Sequence, residues 1–280
     1  MTGLIDIFKE AIIYPISNII VLLTIGALLL VSNIPGLLFS YGIDLSPSIV
    51  GIFGIIALVV AVLLSGYTLS VIRDAIDMNV SIPKLDFAKN FVDGIKAIVL
   101  EIIYYIIPTI IVAIVFFISG APNSIMKILS FFAENEALLN QTLNSTGAVN
   151  TQIFQMIPQE YIVGLINGLA ITAIVAIILY LIFGLLYEIA LCRLAKYDTL
   201  TEGLRFGEVI KDIRTIGIGK YIGWYILLII ITVVLSLVVA LITAIPYIGV
   251  IISYLLCAPF IFLFASRALG LLYIEADRPE

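Results

Sequence analysis

From Tyr221 to Ser266 the chain carries no Asp, Glu, Lys or Arg. This stretch restricts the fold more than any other feature. A helix needs about 20 apolar residues to cross a hydrocarbon layer, so one helix of this whole length would overshoot a bilayer. Pro246 and Gly249, in "TAIPYIG", interrupt the run and predict a turn between two spanning helices, Tyr221–Thr243 and Pro246–Ala265. Four further segments meet the same criterion: Ile16–Phe39, Ile49–Ile72, Ile98–Ser119 and Ile162–Leu186. The expected fold is all-α, a polytopic membrane protein with six transmembrane helices in a single domain over residues 1–280. At 62% hydrophobic and 12% charged residues, the chain is too apolar for a water-soluble domain, which is about half apolar and a quarter charged. The first apolar run, Ala11–Ile43, is too long for the apolar core of a cleavable signal and is expected to remain as a membrane segment.

Orientation follows from the basic residues, which gather on the cytoplasmic side of membrane proteins. With the N-terminus inside, that side receives Lys9, then Arg73, Lys84, Lys89 and Lys96. It also receives the basic residues from Arg193 to Lys220, and Arg267 and Arg278. The other side receives only Lys127. The expected location is therefore a cell membrane, with both termini cytoplasmic and residues 120–161 as an external loop. That loop contains "NQT" at Asn140 and "NST" at Asn144, which fit the N-glycosylation pattern. An Asn- and Thr-rich loop also produces this pattern by chance. The stretch "SIMKILSFFAENEALL" in the same loop reads as an external helix on the membrane.

One phrase occurs twice. "YTLSVIRDAIDMNVSIPKLDF" begins at Tyr67 and "YEIALCRLAKYDTLTEGLRF" at Tyr187; Tyr and Arg recur at the same offset, as Tyr67 and Arg73, then Tyr187 and Arg193. After each comes an amphipathic segment. In the first, Phe87, Phe91, Ile95, Ile98 and Ile102 oppose Asp86, Lys89, Asn90, Asp93 and Lys96. In the second, Phe206, Val209, Ile210 and Ile213 oppose Glu208, Lys211, Asp212 and Arg214. The N-terminus has a shorter version, with Ile5, Phe8 and Ile12 against Asp6, Lys9 and Glu10. Such segments lie in the interface with the apolar face in the acyl boundary. The predicted unit is a cytoplasmic interfacial helix followed by a transmembrane hairpin, three times over: residues 3–72, 83–187 and 204–275. Units that cross twice keep one orientation, so the repeats should be parallel. In the third, Arg267 stands for Arg73 and Arg193, with Ile261 in the place of the Tyr.

The phrases "GYTLSVIRDAIDMNVSIPKLDF", "DGIKAIVLEIIYYIIP" and "YEIALCRLAKYDTLTEGLRF" resemble an archaeal membrane family, domain of unknown function 4013, over nearly the whole chain. The resemblance implies an all-helical polytopic membrane protein and brings no activity or catalytic residues. More loosely, the unit is similar to membrane domains that accompany some glycerophosphodiesterases, which implies lipid-related work by fold analogy.

Chemistry-bearing residues are few. There is no His, and Cys192 and Cys257 lie in separate apolar segments, so metal and disulfide readings are poor and no cofactor is expected. No G-x-S-x-G, H-E-x-x-H, Walker A or Rossmann fingerprint occurs, and the chain is expected not to be an enzyme. A net charge of −5 argues against nucleic acid. Ionisable residues gather at the cytoplasmic boundary: Arg73, Arg193, Arg267, Glu101 and Glu188. They read as a binding vestibule in which the two glutamates pair with the arginines. The structural alternative is that boundary arginines snorkel and hold helices in register. Ser65, Thr68, Thr172, Thr232 and Ser236 are the deeper polar residues, a thin list for a solute path. Pro108 and Pro259 read as kinks. Gly164 and Gly168 form a GxxxG that reads as intramolecular packing. Gly217 and Gly219, in "TIGIGKY", read as the bend into a spanning helix.

The functional expectation is a non-enzymatic membrane protein whose cytoplasmic amphipathic helices engage membrane lipid or a cytoplasmic protein partner. The alternative is a small-solute or lipid transporter with an Arg/Glu-lined entrance.

Overall fold

The computed structural model describes residues 3–136, 157–246 and 248–276, which form helices joined by turns and short irregular connections, with no strand among the described residues. Eleven helices are described: α1 Leu4–Ile13, α2 Ile19–Ser32, α3 Ile34–Ser40, α4 Pro47–Ile76, α5 Phe87–Ile118, α6 Ala121–Glu134, α7 Gln159–Tyr197, α8 Leu200–Gly203, α9 Phe206–Ile216, α10 Ile218–Thr243 and α11 Ile248–Tyr273. Five of them, α4, α5, α7, α10 and α11, are long and apolar enough to cross a membrane. Leu4–Ser17 with Ile19–Ser32 makes a sixth if that bent pair is one span.

The single span expected at Ile16–Phe39 is not one helix. Helix α2 is bent by 81° from the preceding segment, Leu4–Ser17. Asn18 is extended there (φ −143°), and its Oδ1 accepts from the Val21 N–H, which starts a new helix. The chain breaks again at Asn33, two residues before Pro35, where proline sterics disfavour helix continuation. The remaining 14 residues of α2 reach about 21 Å at ~1.5 Å per residue, short of the hydrocarbon thickness.

Elsewhere the punctuation acts as expected or is overridden. The uncharged run does split between Thr243 and Ile248. Gly249 is needed at that turn, since a Cβ there would stand 2.1 Å from the Ile242 carbonyl oxygen. The bend in "TIGIGKY" sits at Gly217, whose φ of +93° L-residues rarely adopt. No corresponding break separates the amphipathic segment at 87–97 from its spanning helix. The two run as one 32-residue helix, α5, with Pro108 inside it. Before Pro259, α11 takes a π turn at Ser253–Cys257, a known way for a helix to absorb a distortion.

The residues form two compact units, Met1–Ile102 with Leu186–Glu280, and Ile103–Leu185. Helices α5 and α7 contribute to both. In the first unit, backbones approach closely through glycine. A Cβ on Gly66 would lie 1.8 Å from the Asn90 carbonyl oxygen, and one on Gly94 would lie 1.8 Å from that of Val62. These glycines let α4 and the start of α5 touch. Trp224 is fully buried, stacked near Phe8 and Tyr221 at 6.1 and 6.2 Å between ring centroids. In the second unit, the GxxxG packs within the chain. Cβ atoms on Gly164 and Gly168 would meet Ser124 Oγ at 2.6 Å and Ala121 at 2.8 Å. The predicted helix in the 120–161 segment is α6, whereas Asn140 and Asn144 lie outside the described residues.

Candidate functional site

The three boundary arginines are each held by acids, although not by those expected. Arg73, on α4, donates from Nε to the Ala195 carbonyl at 2.8 Å. Its guanidinium lies 3.8 Å from Asp93 and 3.5 Å from Asp198. Lys96 joins the same acids at 3.1 and 2.8 Å. The Lys96 ammonium beside Asp198 holds that carboxyl below the usual carboxylate range. Arg193, on α7, is buried. It donates to Asp212 at 2.8 Å, to the Glu202 carboxylate at 2.6 Å and to the Glu202 carbonyl at 3.1 Å. The Tyr273 hydroxyl donates to the same Asp212 oxygen at 2.8 Å, and Arg205 completes Glu202 at 2.8 Å. Arg267, on α11, is 1% exposed. It pairs with Glu10 through one Nη, and its guanidinium carbon lies 4.6 Å from the centre of the Tyr14 ring.

One pattern joins these pairs. Glu10, Asp93 and Asp212 each stand six positions after the first residue of their helix, Leu4, Phe87 and Phe206. Asp93 and Asp212 are buried, as are Asn90 and Val209 beside them. Part of the polar face of α5 and α9 therefore turns to protein, at Asn90, Asp93 and Asp212, whereas the Glu10 side chain stays 52% exposed and Phe8 and Val209, read as apolar-face residues, are buried. Other apolar-face residues are left outward: Ile5 is 65% exposed, Phe91 38% and Ile210 41%.

Glu101 and Glu188 do not pair with Arg73, Arg193 or Arg267. Glu101 is exposed on α5. Glu188 instead lines a cleft of about 180 Å³ in the first unit. Thr68 of α4, Tyr187 of α7, Trp224 of α10 and Ser266 of α11 are among the other walls. Sequence reasoning missed the true partners because Asp93 and Asp212 look like ordinary members of a polar helix face. The shared six-residue offset from each helix start was the available signal. Among the described residues no group of three or more His, Cys, Asp or Glu could hold a metal ion.

With this geometry in view, comparison with known proteins is informative at the family level. The family described as protein of unknown function (DUF4013) matches residues 49–244. The chain belongs to that family. The DUF4013 match covers nearly all of α4, the twice-written Tyr/Arg phrase with Arg73 and Arg193, and α10. Glu10 and Arg267 lie outside it. No curated protein and no solved structure matches the chain.

Proposed function

We propose that this DUF4013 protein is a non-enzymatic membrane scaffold, built from three parallel repeats, that presents amphipathic helix faces to the lipid interface. The observation that carries this reading is the sidedness of α1, the start of α5 and α9. Asp93 and Asp212 turn inward to arginines and Glu10, itself half exposed, reaches Arg267, while Ile5, Phe91 and Ile210 remain exposed. An isolated amphipathic helix in water would hide those apolar residues, whereas an acyl boundary accepts them.

The ion pairs support the repeat reading. The arginine near the end of each proposed repeat meets the acid of the next: Arg73 with Asp93, Arg193 with Asp212, and Arg267 with Glu10, which closes the set from the third repeat to the first. The same acids and arginines belong on the cytoplasmic side by the distribution of basic residues, which places both termini there. An anion-binding entrance has less support, because each guanidinium already has an acidic partner.

The test places single cysteines at Ile5, Phe91 and Ile210 in a chain whose Cys192 and Cys257 are replaced by alanine. An environment-sensitive label is attached to each, and the protein is reconstituted in vesicles with spin-labelled lipids. Shallow quenching at all three positions is expected. Labels that report bulk water would overturn the lipid-facing reading and leave a protein partner as the occupant of these faces.

A further inference from the structure

The Glu188 cleft is not used by the arginine pairs or by the outward apolar faces, and its chemistry points to a ligand. We propose that it binds a small ammonium group bearing a hydroxyl or ether oxygen, with Glu188 as the counter-ion. The inference stands independently of the lipid-scaffold reading.

Four observations converge. Glu188 makes no hydrogen bond or ion pair among the described residues, although it sits half-buried in a mostly apolar cleft between four helices. Its nearest basic neighbour along α7, Arg193, is fully engaged by Asp212 and Glu202. A carboxylate in such surroundings costs several kcal/mol unless a cation or proton meets it. Trp224 lines the same cleft, is fully buried, and its Nε1–H has no acceptor. A buried donor with no acceptor carries a desolvation cost that a ligand oxygen would remove. Thr68 and Ser266 donate their hydroxyl protons to the Leu64 and Phe262 carbonyls, so the lone pairs of both hydroxyls remain to accept from an ammonium.

Size limits the ligand. About 180 Å³ equals roughly six times the ~30 Å³ share of one water, enough for a head of a few heavy atoms. An anion is excluded by Glu188. A purely apolar guest would leave both the carboxylate and the indole N–H unmet. An ammonium two or three bonds from an oxygen satisfies both. Such a group occurs in free amino alcohols and in the headgroup of an aminophospholipid.

The chain has one tryptophan, Trp224, so emission excited beyond the tyrosine absorption band reports on this residue alone. The probe is ethanolamine titrated into the full chain in detergent. The same emission is also read in nanodiscs of phosphatidylcholine with and without phosphatidylethanolamine. A saturable change in Trp224 emission is expected. In Glu188→Gln the apparent affinity should fall at least about ten-fold, the effect of losing one charge-assisted contact. Glu188→Asp, which keeps the charge, should retain part of the response and guards against a folding artefact in the Gln variant. Saturation by free ethanolamine assigns a soluble amine. A response only to phosphatidylethanolamine discs assigns the lipid headgroup. No saturable change with either probe overturns the proposal. An equal response in Glu188→Gln, or a saturable response to inorganic phosphate, also overturns it.

Discussion

The unit formed by Met1–Ile102 and Leu186–Glu280 and the unit formed by Ile103–Leu185 solve the same problem with different means. The first joins its helices through buried arginines and through glycine-mediated backbone contact. The second has no ion pair among its described residues. Its helices meet through Gly164 and Gly168 against α6, through the Thr109–Tyr180 hydroxyl contact at 2.8 Å, and through the Tyr105 and Tyr180 rings at 5.9 Å. Lipid tails are as apolar as leucine, so apolar burial alone does not drive helices together in a membrane. What remains is close packing and polar contact. The first unit uses both at high energy per contact, and the second uses both at low energy per contact. Single changes should therefore cost far more in the first unit.

The largest difference should appear at Arg193. Arg193→Met leaves Asp212 buried with only the Tyr273 hydroxyl, and removing one member of a buried pair costs about 3–5 kcal/mol. Thermal unfolding in detergent should show the loss. Adding Asp212→Leu removes the stranded acid, while Glu202 keeps Arg205, so the double variant should regain about half or more of it. No regain would mean that Arg193 acts through packing on Tyr197 rather than through charge. The comparison between units would then rest on shape alone.

Glycine gives the next test, with one variant in each unit. Gly66→Ala sets a Cβ 1.8 Å from a backbone oxygen that cannot rotate away, and about 2–3 kcal/mol of overpacking is expected. Gly168→Ala meets the backbone and Cβ of Ala121 at 2.8 to 3.0 Å, a shallower overlap that a small helix displacement relieves, and about 1 kcal/mol is expected. Equal melting temperatures for the two variants would erase the difference between units at the level of packing.

These contrasts also explain what could be read from the sequence. Helix class and most spans follow from apolar length, and the turn at Pro246 and the bend at Gly217 follow from local chemistry. The break at Asn18 was hidden, because one side chain accepting one backbone proton redirects the chain inside a continuous apolar run. The arginines were legible as a set, since the Tyr/Arg phrase is repeated. Their partners were not. Glu101 and Glu188 stand nearer in sequence to a boundary level, but pairing is decided by which helix face turns inward. That depends on contacts such as Gly66 with Asn90, which no periodicity reveals.

A smaller effect should come from the second unit's polar contact. Thr109 donates to the Tyr105 carbonyl and also meets the Tyr180 hydroxyl. Thr109→Val keeps the shape and removes both, and polar contacts between membrane helices average about 0.6 kcal/mol. A loss near that figure in guanidinium or thermal unfolding keeps this unit at the weak end of the scale. A loss above about 2 kcal/mol would place it beside Arg193.

The smallest expected effect separates buried from exposed charge within the first unit. Asp198 has 55% of its side chain exposed, and Lys96 holds its carboxyl below the ordinary value of about 4. A depressed carboxyl binds its proton less readily in the folded chain than in the unfolded one. Its contribution is therefore fully present above about pH 4 and is lost as pH falls through the lower, folded value. Screening by solvent limits this contribution to under about 1 kcal/mol. Asp198→Asn should lower stability slightly at pH 7, flatten the acid limb of the stability curve, and lose its effect in 1 M salt. Arg193 and Asp212, shielded from water, should keep their contribution in the same salt. If salt weakens both pairs alike, Arg193 is wetter in solution than its 4% exposure implies, and the gap between the two units narrows accordingly.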